Sequence, residues 1–393
     1  MNDRSADVII VGGGIVGSAA AAFLAEAGAR VTLVDRDGLA SGASGANSGL
    51  VQHPFDPVMA ELYRESLRWY RGLAAADIGF VLGEAPDGLL YVSRDVATVV
   101  AIDADLGTVF PDLTHELLDE AALHAIEPAL APDLWACRVE IGYPVQPAAS
   151  TYAYATLAEQ HGAFIRVGRG AALAMVGDRV VGVDVDGERF TAGAVLVAAG
   201  PWTPEVIDPS GRWRPIRSRW GVVVETGLAD GPRHVLEEAE ISVAIGVSDA
   251  HPGADMTGAF SNDPDSSDHP DEERADFSLV PLGSTASIGS TFLARRPDPA
   301  TWIEPILTRA ARFVPSVADA PIRGTRACAR PQTLDGRPLI GAVPWRPGLF
   351  ICAGHGSWGI STGPASARLV VDAILGRDPD IAPALTPDRF GVP

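Results

Sequence analysis

The sequence predicts an α/β protein of two domains, the first assembled from separated pieces of chain around a parallel sheet, the second built on an antiparallel sheet with helices. Three observations predict it. The run "DVIIVGGGIVGSAAAAFLAEAGARVTLVDRD" reads as strand, glycine turn, helix and strand; "GLFICAGHGSWGISTGPASARLVVDAILG", near the C-terminus, returns to strand, glycine turn and helix; and residues 216 to 292 carry strand-type runs with no helix between them. A chain of 393 residues also exceeds the roughly 100–200 residues usual for one domain. The first domain is expected to take residues 1–80, 140–214 and 322–393, and the second residues 81–139 and 215–321.

In chain order, Val8 to Val11 form a continuous apolar run suited to a strand buried on both faces. Ser18 to Ala27 are good helix formers, Gly28 sits where a helix end wants a left-handed residue, and Val31 to Val34 give a second strand ending in Asp35. The glycine-rich "GLASGASGANSG" follows, then helical spacing from Met59 to Leu73 and a short strand in "GLLYVS". From Thr151 the chain reads as helix then strand, followed by a hairpin turning at Asp186-Gly187 and a buried strand into Ala199-Gly200. The strand-type runs of the second domain are "GVVVET", "ISVAIGV", "FSLVPL" and "ASIGST". Between Asp249 and Asp276 nine acids face one base, Arg274, as a solvated loop or a lid over a site.

Composition excludes several classes of function. Thirty Lys and Arg against fifty Asp and Glu leave a net charge of −20, which makes nucleic acid an improbable partner. The apolar runs are broken by glycines well short of the ~18–20 residues of a membrane span. "MNDRSAD" lacks the basic-then-apolar pattern of a secretory signal. Cys137, Cys328 and Cys352 are an odd number without a close pair, and the eight histidines show no metal-ligand spacing. The expectation is a cytoplasmic protein without a metal.

Gly12, Gly14 and Gly17 form GxGxxG, and Gly354, Gly356 and Gly359 repeat it. Only the first copy follows a strand, opens a helix and is followed, eighteen residues after Gly17, by an acid, Asp35, at the end of a strand. Such glycines admit a pyrophosphate to the backbone, the helix terminus offers unpaired N–H groups, and the acid accepts from a ribose hydroxyl. Glycines serving helix packing alone are the plainer alternative. Arg36 leaves a phosphorylated ribose, hence NADP, open.

Through these and further motifs the chain resembles the FAD-dependent amino-acid oxidoreductases, a group that includes D-amino-acid oxidase and dehydrogenase, glycine oxidase and sarcosine oxidase. The resemblance runs in order through the N-terminal βαβ run, "SGASGANSGLV", "VLVAAGPWTPEV", "IGSTFLARRPD", "CARPQTLDGRPLIG" and the C-terminal glycine loop. It implies a discontinuous FAD-binding, Rossmann-like domain and an antiparallel-sheet substrate domain, with the flavin ring between them. FAD would be held by Gly12, Gly14, Gly17, Asp35 and Arg36, by Ser44, Asn47, Ser48 and Gly49, by Gly200, and by His355, Gly356, Gly359, Ile360, Ser361 and Thr362. Cys328 matches the cysteine that sarcosine oxidases join to flavin, whereas other relatives bind flavin noncovalently. Arg330 matches the arginine that grips the substrate carboxylate, with a salt bridge to Asp335 or a bond to a strand-end carbonyl as its structural alternative. His53 and Trp358 are candidates for the substrate pocket, although a lone histidine is more often structural and Trp358 is equally at home in a core.

The implied activity is oxidation of an amino acid at its C–N bond by hydride transfer, leaving an imine that water hydrolyses. Oxygen or a quinone would take the electrons; Ser361 stands where sarcosine oxidases carry a lysine for oxygen. A nicotinamide-dependent dehydrogenase, a non-catalytic nucleotide-binding protein and a hydrolase using Ser357 are the rivals.

Overall fold

The computed structural model describes residues 5–240 and 274–391. Its first large sheet has eight strands, ordered Leu339–Ala342, Leu349–Ala353, Glu188–Val197, Ser5–Val11, Val31–Asp35 and Phe164–Val167, with Arg179–Val185 and Ala171–Val176 attached as a hairpin extension. Four of its pairings are parallel, joining separated parts of the chain. The last four residues of strand Ser5–Val11 are all apolar and buried because they are covered twice. Val8 and Ile10 meet a layer of helices, while Ile9 and Val11 meet a core under the hairpin. The helices are Ile15–Glu26, Pro57–Ala75, Ala149–Gln160 and Gly359–Ile374. Asp56 starts the second of them by accepting from Val58 N and Met59 N.

The second sheet also has eight strands, in the order Ile322–Thr333, Ile216–Gly227, Thr285–Gly289, Ser278–Leu282, Val235–Glu238, Leu89–Ser93, Trp135–Val139 and His115–Leu118. All its pairings are antiparallel except that of Val235–Glu238 with Leu89–Ser93. One face, carrying Val222, Leu236, Leu279 and Ile288, packs against helix Ile303–Ala311. The other face carries Val223, Glu237, Ser278, Gly289, Cys328 and Arg330 and lines a cavity against the first sheet. The fold is therefore mixed α/β with one largely parallel and one largely antiparallel sheet.

One segment differs from the expected division. Strand Ile322–Thr333, counted with the first domain from sequence, pairs with Ile216–Gly227 from Ile216↔Thr333 to Thr226↔Ile322 and so belongs to the second sheet. Its partner lies about a hundred residues away, and neither strand's own pattern names the other. The "ISVAIGV" run and most of the acidic stretch lie outside the described residues; of that stretch Arg274 and Asp276 are described, and they form an ion pair of 3.0 Å.

Candidate functional site

The first glycine turn is built for close backbone approach. At Gly12, where φ is 117°, a Cβ would lie 2.3 Å from Ala198 O, and one on Gly17 would lie 1.9 Å from Gly12 O. Gly17 therefore serves helix seating and does not line the cavity, whereas Gly12 and Gly14 do. Ile15 N, at the helix terminus, donates to Ser44 Oγ at 2.9 Å. Asp35 Oδ2 accepts from Gly13 N at 2.6 Å, and its Oδ1 accepts from Asp37 N and Gly38 N. One carboxylate thus ties the turn to the end of the second strand while facing the cavity. Arg36 pairs with exposed Asp37 and lies 5.2 Å over the Trp202 ring at the mouth.

Ser44, Asn47 and Ser48 line the same cavity from the following loop. Asn47 holds that loop together, its Nδ2 donating to Ala43 O and Ser44 O and its Oδ1 accepting from Gly49 N. Gly49 is turned away, with room for no Cβ beside Val145 O. From the opposite side come Gly200, His355, Gly356, Trp358, Gly359, Ile360 and Ser361. Thr362 is buried behind them, donating to Trp358 O. Trp358 also packs on the helical core, so it belongs to cavity wall and core together. One cavity is thus lined continuously from Gly12 and Asp35, past the second glycine loop, to Ser290 and Arg330.

Arg330 enters from the second sheet. Its guanidinium lies over Gly221, where a Cβ would come within 2.5 Å of both terminal nitrogens, and 4.4 Å from the centre of the Phe292 ring. Nη1 donates to Thr291 O at 2.8 Å and Nη2 to Ser290 Oγ at 2.5 Å. Among the described residues no carboxylate pairs with it; Asp335 binds Arg389 instead. Burial works against the charge it carries. Cys328 lines the cavity two residues earlier, its thiol pushed up by burial and its Sγ 3.9 Å from Ala43 O.

His53 is not brought to the cavity. After the short strand Leu50–Val51 the chain keeps alternating, so Gln52 faces the cavity and His53 the opposite side, between Tyr63 and Phe110 at 5.2 Å each. Both its ring nitrogens lack partners. His355, by contrast, lines the cavity with Nε2 unpartnered. Burial lowers both imidazoles from 6.5 to about 4, so they are neutral in the folded protein. The unfolded chain binds these protons first, so stability is expected to fall as pH drops from 6.5 towards 4, by at most about 3 kcal/mol for each. Melting temperatures across that range check this; His53→Phe should flatten the slope.

Sequence reasoning missed Gln52, Trp202, Glu237, Ser278, Ser290 and Phe292, all of which line the cavity. Among the described residues no group of His, Cys, Asp or Glu is arranged to hold a metal, and no helix is long and apolar enough to cross a membrane.

A glycine-cradled helix terminus and a second glycine loop, facing across a cavity that an antiparallel sheet closes, define a nucleotide-dependent enzyme of two-sheet design. Residues 7–373 match the family model for FAD dependent oxidoreductases, and the chain belongs to that family. A glycine oxidase of Pseudomonas aeruginosa is 30% identical, over 96% of this chain and 97% of the relative. Among solved structures, glycine oxidase from Bacillus cereus superposes with a TM-score of 0.77 at 24% identity, covering 95% of this chain and 96% of that one. L-proline dehydrogenase from P. horikoshii gives a TM-score of 0.80 at 17% identity, covering 98% of each. Both share the fold. The cofactor is FAD, in place of the nicotinamide that the first glycine turn alone would permit, and the protein is an enzyme of the amino-acid and amine oxidoreductase group.

Proposed function

We propose that the protein oxidises the C–N bond of an amino acid or N-alkyl amino acid whose carboxylate rests on Arg330. The observation that carries this reading is a partly buried guanidinium, fixed by Ser290, Thr291 and Phe292, with no carboxylate in ion-pair contact among the described residues and N–H groups to spare. Bound FAD supplies a hydride acceptor. The pinched turn at Gly12 and the helix terminus at Ile15, whose N–H is held by Ser44 Oγ, fit a pyrophosphate, with Gly14 beside it and Asp35 at the ribose. The loop from His355 to Ser361 would give backbone N–H groups to the ring.

Each protein group then has one task. Arg330 fixes the direction of the substrate by two parallel bonds to its carboxylate, Phe292 holds the guanidinium flat, and Trp358 and Ile360 exclude water. An anaerobic panel of amino acids tests the reading: α-amino acids or N-alkyl amino acids should bleach the flavin, and the same amines without a carboxylate should not.

Two further outcomes are expected. Asp35→Ala should weaken FAD binding roughly 10- to 100-fold, as it removes a charge-assisted acceptor worth ~1.5–3 kcal/mol and releases Gly13 N; flavin retained after dialysis measures it. Cys328 should stay unlinked, because a thiol whose burial disfavours the thiolate is a poor nucleophile. Acid precipitation should leave the yellow colour in the supernatant, and a yellow pellet would reverse this assignment.

A further inference from the structure

The cavity holds a second ionisable group that the carboxylate clamp does not use. Glu237 lines it from the same sheet face as Arg330, and Glu237 Oε2 is buried without a hydrogen-bond partner. Gln52 and Tyr91 are its close polar neighbours, with the Gln52 amide beside both the carboxylate and the phenol, but neither makes a well-formed hydrogen bond to it. A buried carboxylate with no cation and only an amide beside it is costly in a core and ordinary in a binding site awaiting a polar ligand. The adjacent Glu238 shows the contrast, since it points to the other face and is taken up by Arg309 and Phe277 N.

The register fixes where Glu237 stands relative to Arg330. Glu237, Ser278 and Gly289 lie opposite one another on three neighbouring strands, so the Glu237 backbone is about 10 Å from Gly289 at ~4.8 Å per strand. Ser290, which follows Gly289, receives the Arg330 Nη2 bond. Glu237, Ser278, Gly289, Ser290 and Arg330 all line the same cavity, so acid and guanidinium face one shared space. A zwitterion needs a cation for its carboxylate and an acid for its ammonium, and this space offers both.

We propose that Glu237 receives the substrate's ammonium group and takes one proton from it, so that the carbon–nitrogen bond is oxidised from the neutral amine. The step balances as ammonium plus carboxylate giving amine plus carboxylic acid, with no change in oxidation state. It rests on the amino-acid reading above. Among the described residues the groups facing Glu237 are Gln52 from the loop, Tyr91 from one neighbouring strand with Cys137 beyond it, and Ser278 from the other, all uncharged at neutral pH. Arg326, on the same face, is neutralised by Glu225. Burial pushes the Glu237 carboxyl up to about 7, which suits a proton acceptor working near neutrality.

The test is the pH profile of anaerobic flavin reduction by the best amino acid at low substrate concentration, in the parent, Glu237→Gln and Glu237→Asp holoenzymes. The parent should gain rate through an inflection near neutral pH. Glu237→Gln should lose that inflection, react at least about tenfold more slowly at pH 7, and recover about tenfold per pH unit as the substrate amine deprotonates unaided. Glu237→Asp should keep an inflection at reduced rate. Acetate, a carboxylate without an amine, should perturb the flavin spectrum with equal affinity in parent and Glu237→Gln. A uniform loss of rate with an unchanged profile, or loss of acetate binding, would make Glu237 structural and overturn the proposal alone. A parent enzyme that no amino acid reduces at any pH overturns the amino-acid reading and this proposal with it.

Discussion

Arg330→Lys is expected to retain FAD and fold yet lose roughly 30- to 5,000-fold in kcat/KM for the best amino acid, the equivalent of about 2–5 kcal/mol. The guanidinium is held at three places, by Thr291 O, Ser290 Oγ and the Phe292 ring. Two of its five N–H groups are spent on that support, and the remaining ones offer a flat edge to a carboxylate. An ammonium keeps the charge but has one nitrogen for every task. It cannot bond Ser290, Thr291 and two carboxylate oxygens in one plane, and it loses the planar contact with Phe292. The loss should extend to binding of acetate, a carboxylate without an amine, whose perturbation of the flavin spectrum should weaken in parallel. Unchanged acetate affinity beside the loss of amino-acid rate would show that the substitution damaged the cavity and not the clamp.

Gly12→Ala is expected to cost about 3–5 kcal/mol of stability and most of the bound FAD. The residue has a φ of 117°, and its Cβ would sit 2.3 Å from Ala198 O, 2.6 Å from Ala198 C and 2.9 Å from Ala199 N. None of these atoms belongs to a flexible side chain. They end the strand Glu188–Val197, whose pairing with Ser5–Val11 holds the centre of the first sheet. Relief would require moving the two central strands apart where the cavity begins. Thermal unfolding and flavin content together check the outcome. Gly28→Ala makes the control: it is also at positive φ, but a Cβ there meets nothing within 4 Å.

Gly12 was legible in the sequence because its constraint is local: strand, turn and helix succeed one another within a few residues, and backbone crowding leaves glycines as its trace. The same holds for Asp35 and for the second glycine loop. What sequence could not show depends on pairing and phase. Strand Ile322–Thr333 was counted with the wrong sheet because its partner, Ile216–Gly227, is distant in the chain. His53 is a candidate by its chemistry and Gln52 gives no such signal, yet side chains alternate along extended chain and the two-residue strand before them turns Gln52 to the cavity. Glu237 and Glu238 are chemically alike, and only register tells the cavity acid from the one that Arg309 neutralises. Arg330 was found through the resemblance of its motif; the unpaired, pre-positioned state of its guanidinium needed the fold.

The most direct measurement is the anaerobic visible spectrum of the purified, FAD-loaded protein on mixing with matched pairs of compounds, each an amino acid and the same amine without its carboxylate. Selective use of the clamp predicts that the flavin bands bleach with one or more of the amino acids and persist with every decarboxylated partner. Bleaching that is equal within each pair, or that follows the decarboxylated amine, would contradict a substrate held by its carboxylate on Arg330.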